Sequence, residues 1–343
     1  MSRKKAFVIF PGRGAYQAED LGYLKRFHHD KTEFLAMLED IREQAGQKPL
    51  HALDGAKRFS LANHSSGENA SLLIYACAMA DFLSIDREQY EVVAVAGNSM
   101  GWYLSLAACG ALSLEAGAQL VNTMGTLMHE HGVGGQILYP IVNSRWVVDA
   151  KAKQNVKKAI ASAKKAGHQA AISIELGGTI VIAGDKAGLA HVKSKLPAVG
   201  EYPAQIARHA AFHTPLVSHV VPLAHQQLSP EMFTQPAIPA IDGTGTQWLA
   251  DAADLNALYD YTLGTQITER YNFTRSVQTG LRDYAPDCII LPGPGGSMGA
   301  PVAQILIEEN WWGLKSKADF TKMQTNQPRI LSMGRQAQRD IVI

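Results

Sequence analysis

Residues 91–109 constrain this chain more than any other stretch. Glu91-Val92-Val93-Ala94-Val95-Ala96 is an almost unbroken apolar, β-branched run, the length of one strand buried on both faces. Trp102 to Cys109 has the composition of a buried helix. Only Gly97-Asn98-Ser99-Met100-Gly101 lies between them, so the chain must pass from strand to helix in one tight turn. Glycines at both ends allow that turn because they carry no Cβ. Ser99 then sits at the apex with its hydroxyl exposed, the nucleophile position of a G-x-S-x-G elbow. The helix starting there points its free N–H groups and positive end at the site, and the N–H of Met100, next after the serine, is the expected first oxyanion donor.

The pattern recurs along the chain. Ala6 to Phe10 reads as a first strand, and Cys288 to Leu291 as another, followed by a Gly-rich turn from Pro292 to Gly299 and a helical stretch from Ala300 to Glu309. Strands alternating with helices imply an α/β domain with a mostly parallel sheet, like that of the α/β-hydrolases. Between 135 and 207 the order becomes strand (Gln136 to Val142), helix (Ala150 to Lys165), hairpin (Ala170 to Glu175 and Thr179 to Ala183), helix (Lys186 to Leu196) and strand (Tyr202 to Ala207). That βαββαβ order is the signature of a ferredoxin-like subdomain. The expected organisation is a discontinuous large domain, 1–134 and 208–320, with the subdomain 135–207 inserted and a C-terminal tail, 321–343, that wraps the surface or is partly mobile. The plainer alternative lets these elements extend the main sheet.

Of the 343 residues 46% are hydrophobic, enough for a sizeable core. Lys plus Arg number 32 against 31 for Asp plus Glu, so no overall charge draws the chain to nucleic acid or an anionic membrane. The apolar run near the start is too short for a signal segment, and none approaches the roughly 20 residues of a membrane span. Cys77, Cys109 and Cys288 lie far apart, which suits free thiols in a reducing compartment. A soluble cytoplasmic protein without metal site, disulfide or cofactor is expected.

A serine nucleophile needs a base. Among twelve histidines, His213 in Ala211-Phe212-His213-Thr214-Pro215 follows the subdomain, where the chain should return to the main sheet, and His209 is its nearest competitor. A lone histidine beside Phe and Pro is more often structural. No obvious acid is placed between nucleophile and histidine as in an ordinary α/β-hydrolase, and a dyad whose imidazole is oriented by a backbone carbonyl would remove that need. Gly293-Pro294-Gly295-Gly296-Ser297 reads as a turn or a phosphate cradle, but no Gly-Lys-Ser/Thr follows, which argues against a P-loop.

Phe10-Pro11-Gly12-Arg13-Gly14, the Gly97 to Gly101 elbow, Ala211 to Pro215 and Leu291-Pro292-Gly293-Pro294-Gly295 stand in the order and approximate spacing of the malonyl-CoA:acyl-carrier-protein transacylases. The sequence resembles that family from about Lys5 to Trp312, inserted subdomain included. The resemblance implies a ping-pong acyltransferase: Ser99 is acylated by an acyl-CoA, His213 is base and then acid, and the phosphopantetheine thiol of an acyl carrier protein takes the acyl group. It assigns the second oxyanion N–H to Arg13, where the family has glutamine, and the carbonyl orienting His213 to Gln266.

Two positions depart from the family. Its malonyl-specific members carry an arginine for the free carboxylate in a stretch like L-V-x-x-R-G-x-x-M. Here Leu120-Val121-Asn122-Thr123-Met124-Gly125-Thr126-Leu127-Met128 puts Met124 there. A malonyl carboxylate against methionine would be an unpaired buried anion, costing several kcal/mol, so an uncharged acyl group, acetyl or longer, is expected. A malonyl transacylase using Arg13 as its cation is the alternative. Asn98, with Met124, is expected in the acyl pocket, where the family has histidine before the serine. The rivals on this scaffold are an acyl-thioester hydrolase that edits stalled carriers and a non-enzymatic scaffold that docks a carrier protein.

Overall fold

The computed structural model describes residues 2–343. β1 (Lys4–Phe10) begins the large domain, and after several helices, of which Thr32–Gln44 is the longest, a longer helix, α1 (Gly67–Leu83), runs under the sheet with almost every side chain buried. β2 (Tyr90–Gly97) follows, then α2 (Gly101–Ala108) and α3 (Leu114–His131). An all-round apolar sequence such as Ala70 to Met79 can only be accommodated by a helix enclosed on every face.

The chain next builds β3 (Gly135–Pro140), α4 (Ala150–Lys165), β4 (Ala170–Leu176), β5 (Thr179–Gly184), α5 (Lys186–Lys195) and β6 (Ala204–Ile206). These form a second sheet ordered β6-β3-β5-β4, antiparallel throughout, the ferredoxin-like arrangement. It has its own core, in which Ile137, Ile180 and Ile182 meet Val156, Ile160 and Val192 from the two helices.

The return leg contributes β7 (Ala240–Ile241), β8 (Gln247–Trp248), a helical run over 255–268, β9 (Tyr271–Asn272), α6 (Phe273–Tyr284), β10 (Cys288–Leu291) and α7 (Gly299–Glu308). The large sheet has the order β11-β10-β1-β2-β7-β8, where β11 is Ile330–Ser332, and it is parallel except for β8.

Two features differ from the sequence reading. β9 pairs parallel with β4, so the small sheet takes its fifth strand from residues beyond 207. The segment read as a tail is built into the large domain: β11 is its edge strand, and the last helix, α8 (Gln336–Val342), buries Arg339 and Val342. Its mixed composition shows no periodicity because only two or three residues of each element face inward. No helix among the described residues is long and apolar enough to cross a membrane.

Candidate active site

The elbow is built by close approach. A Cβ on Gly101 would lie 2.5 Å from the Phe10 carbonyl oxygen, and one on Gly12 2.6 Å from that of Asn98. The loop after β1 therefore lies directly against the elbow, joined to it by the Asn98 N–H donating to the Phe10 carbonyl at 3.0 Å. Ser99 is left at φ +55°, in the left-handed region, a strain of about 1–3 kcal/mol for a non-glycine residue. Tyr271 of β9 donates its hydroxyl to the Gly97 carbonyl at 2.6 Å and holds the end of β2 in place.

His213 also has positive φ, +57°. Two free carbonyls at a helix end fix it. The run over 255–268 is α-helical from Leu255 to Asp260, widens to a π-turn over Tyr261–Thr265, and closes with Gln266–Thr268. Because the helix stops there, its last carbonyls have no intrahelical donor. The His213 backbone N–H donates to Ile267 O at 3.0 Å and its ring Nδ1 to Gln266 O at 2.6 Å. A carbonyl can only accept, so Nδ1 carries the proton and Nε2 is bare. That bare nitrogen stands 2.7 Å from Ser99 Oγ, which must donate to it. Burial pushes His213 down to about 4, with the Gln266 carbonyl pulling the other way, so the ring is neutral near pH 7.

The Gln266 side chain clasps the elbow. Its Nε2 donates to Ser99 O at 3.1 Å, and its Oε1 accepts from Tyr103 OH at 2.8 Å. Among the described residues, the backbone N–H groups of Met100 and Arg13 have no protein acceptor, which leaves both free for an oxyanion.

Ser99 separates two spaces. On the large-domain side is a small chamber of about 50 Å³ lined by Val121, Met124, Met128, Ile267 and Phe212. On the other is a cleft of about 250 Å³ whose far wall is the small sheet, with Leu138, Ile174, Val181 and Ile206. Met124 is in the chamber with Met100; Asn98, expected beside it, lines the cleft on the other side of Ser99 instead. Arg13 borders both spaces. Its guanidinium lies over the Phe212 ring at 5.1 Å and donates to the carbonyls of Ser65 and Arg208 at 3.2 and 2.8 Å. Burial lowers it to about 10, still a cation, and it has no carboxylate partner.

The late Gly-rich turn is not an anion cradle. Gly293 N–H donates to Asp81 Oδ2 at 2.7 Å and Gly295 N–H to Asp20 Oδ1 at 3.0 Å, so carboxylates already fill the donors a phosphate would use. Sequence reasoning missed Tyr103 and Tyr271, for which no local signal exists.

No protein-family model matches the sequence, and no curated protein does. Solved structures do. The malonyl-CoA:acyl carrier protein transacylase from Xanthomonas oryzae pv. oryzae superposes with a TM-score of 0.73 at 22% identity, over 99% of this chain and 98% of that one. The acyl-carrier-protein S-malonyltransferase from Burkholderia pseudomallei gives 0.76 at 20%, over 98% of each chain. A malonyl-transacylase in complex with the acyl-carrier protein of a type II polyketide synthase gives 0.75 at 16%, again over 98% of each. The chain has the fold of the malonyl-CoA:acyl carrier protein transacylases, a mostly parallel α/β domain carrying a ferredoxin-like insertion.

Proposed function

We propose that the protein is an acyltransferase that moves a short acyl group from an acyl-CoA to the pantetheine thiol of an acyl carrier protein through an ester on Ser99. The observation that carries this reading is the 2.7 Å approach of Ser99 Oγ to a His213 Nε2 whose proton has been placed on the other nitrogen by the Gln266 carbonyl. Ser99 Oγ attacks the thioester carbonyl while its proton passes to His213 Nε2. The oxyanion receives hydrogen bonds from Met100 and Arg13 N–H. Collapse breaks the C–S bond, and His213 returns the proton to the departing thiolate. In the second half, His213 takes the proton of the carrier thiol, whose sulfur attacks the acyl-serine, and Ser99 Oγ recovers the proton on leaving.

The chamber beside Ser99 is the natural seat of the acyl group. Its volume is that of roughly three to five water-sized groups, which suits an acetyl-to-butyryl range rather than a long chain. Met124, Met128 and Val121 offer nothing to a carboxylate, which supports an uncharged acyl group. A second reading rests on Arg13: a buried cation without an anionic partner in that same chamber favours an acyl group ending in a carboxylate.

Intact-mass measurement after mixing with acetyl-, butyryl- and malonyl-CoA tests both. The expected result is an adduct of acetyl or butyryl mass on Ser99, absent from Ser99→Ala and discharged by holo carrier protein. A malonyl adduct alone selects the Arg13 reading. Release of free acid with no transfer to the carrier replaces transfer by hydrolysis, and no adduct with any thioester removes the catalytic reading.

A further inference from the structure

His209, the residue that competes with His213 in the sequence, takes no part in activating Ser99, whose hydroxyl is already engaged. Its ring is nevertheless held in one orientation by a hydrogen bond through Nδ1. Ser173 Oγ donates to the Phe212 carbonyl at 2.8 Å, which can only accept. Gln136 must therefore present its NH₂ to Ser173 Oγ, 2.6 Å away, and turn its amide oxygen to His209 Nδ1 at 2.7 Å. Each hydrogen bond dictates the direction of the next, and the result is unambiguous: Nδ1 carries the proton and Nε2 is a bare acceptor. Burial, with Arg13 and His213 beside it, holds His209 well below the usual imidazole range, so the ring does not become a donor near neutral pH.

The Nε2 has no protein partner and is not enclosed, so it is open to whatever occupies the cleft. The far wall there is apolar, with Leu138, Ile174, Val181 and Ile206 of the small sheet, while Arg13, Gln136 and Ser297 also border the cleft. Asn98 also borders the cleft, but its Oδ1 is enclosed and unpartnered rather than open to it. The cleft thus offers a mostly apolar passage with a fixed acceptor beside the serine. A pantetheine arm is the complementary object, methylenes interrupted by secondary amides whose N–H groups lose water on entry.

We propose that His209 Nε2 accepts a hydrogen bond from an amide N–H of the pantetheine arm, and that the Gln136–Ser173–Phe212 relay fixes the tautomer that makes this possible. The proposal rests on the acyl-transfer reading and adds a thiol-arm specificity to it. Both substrates, acyl-CoA and carrier, present the same arm, so one acceptor serves both halves of the cycle. The relay ends on the carbonyl of the residue preceding His213, which ties arm recognition and base to one short segment.

Two probes that differ in one atom group decide it. S-acetyl-N-acetylcysteamine has the first amide of the arm; 2-(acetylthio)ethyl acetate has an ester there and no N–H. Wild-type protein is expected to prefer the amide probe by roughly five- to tenfold in kcat/KM for acylation of Ser99, the worth of one net hydrogen bond. In His209→Phe the preference should fall to about one. Gln136→Met, which frees the ring to change tautomer, should lower it part of the way and gives a second route if the phenylalanine variant folds poorly. Equal loss on both probes, or an undiminished preference in His209→Phe, overturns the proposal by making the histidine purely structural. Acylation of Ser99 by both probes at equal rates in the wild type overturns it while leaving the acyl-transfer reading standing; no acylation by either removes both.

Discussion

Two buried histidines in this molecule have opposite surroundings. His213 faces a hydroxyl and a peptide carbonyl, with no formal charge bonded to its ring. His28, enclosed completely, has its Nε2 at 2.8 Å from Asp81 Oδ1 and 3.2 Å from the Arg339 guanidinium. Asp81 is also bonded to Arg339, to the Tyr23 hydroxyl and to Gly293 N–H, so four segments of chain meet at one carboxylate. Burial alone would raise Asp81, but the His28 hydrogen bond and the Arg339 charge outweigh it and hold it below the usual carboxylate range. Where the proposed chemistry moves a proton, the histidine is kept neutral by burial and oriented by a carbonyl dipole, with no charge bonded to it. Where the segments must stay together, it is set among fixed charges.

The largest effect that separates the two centres is on chemistry. His213→Ala should lower Ser99 acylation by at least roughly 10³-fold with the thermal unfolding transition little changed, as measured by single-turnover kinetics and calorimetry. A loss below tenfold would mean that another group takes the serine proton. The pH profile provides the matching test in the unmodified protein. The folded value of about 4 lies below the ordinary 6.5, so the imidazole is neutral above about 4 and acylation should be flat through the neutral range. Below about 4 the rate should fall about tenfold per pH unit. An unfolded chain takes up that proton already near 6.5, so stability also declines as the pH drops from there towards 4.

The second effect is on stability. Asp81→Asn leaves the Arg339 guanidinium buried without its counter-charge and should cost about 3–5 kcal/mol in urea unfolding. Asp81→Leu combined with Arg339→Met should cost less than Asp81→Asn alone, because no uncompensated charge remains. Since the folded value of Asp81 is depressed, its contribution is complete above the ordinary carboxylate pKa and is lost as the pH falls through the lowered one. If Asp81→Asn proved as stable as the parent, the view of this cluster as a clamp would have to go.

The same contrast explains what could be read from the sequence. The elbow is legible because its determinants are consecutive: a buried strand, two glycines around Ser99, and a buried helix impose one geometry on five residues. The inserted subdomain is legible because its strands and helices alternate with clean periodicity, and its antiparallel order follows from βαββαβ. Gln266 and Arg13 became visible only through resemblance, since a backbone carbonyl or N–H has no side-chain signature. The Asp81 cluster was not legible at all. Arg339 and Asp81 are 258 positions apart, and His28 and Tyr23 lie on yet another segment, so nothing local marks them as one unit. For the same reason the chain after 320 reads as a tail, although its strand and helix close the edge of the sheet. The π-turn before Gln266 is equally silent, because Tyr261 to Thr265 would fit an ordinary helix.

The Gln266 side chain gives the smallest and most discriminating effect, since it can be separated from the main-chain carbonyl of the same residue. The bond to His213 Nδ1 comes from its main-chain carbonyl, which survives any side-chain change. The side chain contributes only the links to Ser99 O and Tyr103 OH. Gln266→Ala should therefore keep the tautomer and base function of His213 and lower acylation by about tenfold or less, through a looser elbow. The acid limb near pH 4 should not move, because the carbonyl dipole on Nδ1 is unchanged. Gln266→Pro tests the other half: it keeps a carbonyl but disturbs the helix end that aims it, and should approach the His213→Ala rate. If Gln266→Ala instead matched His213→Ala while the acid limb shifted, the ring would be held by the side chain rather than the helix end, and the dipole-only account of this histidine would fail.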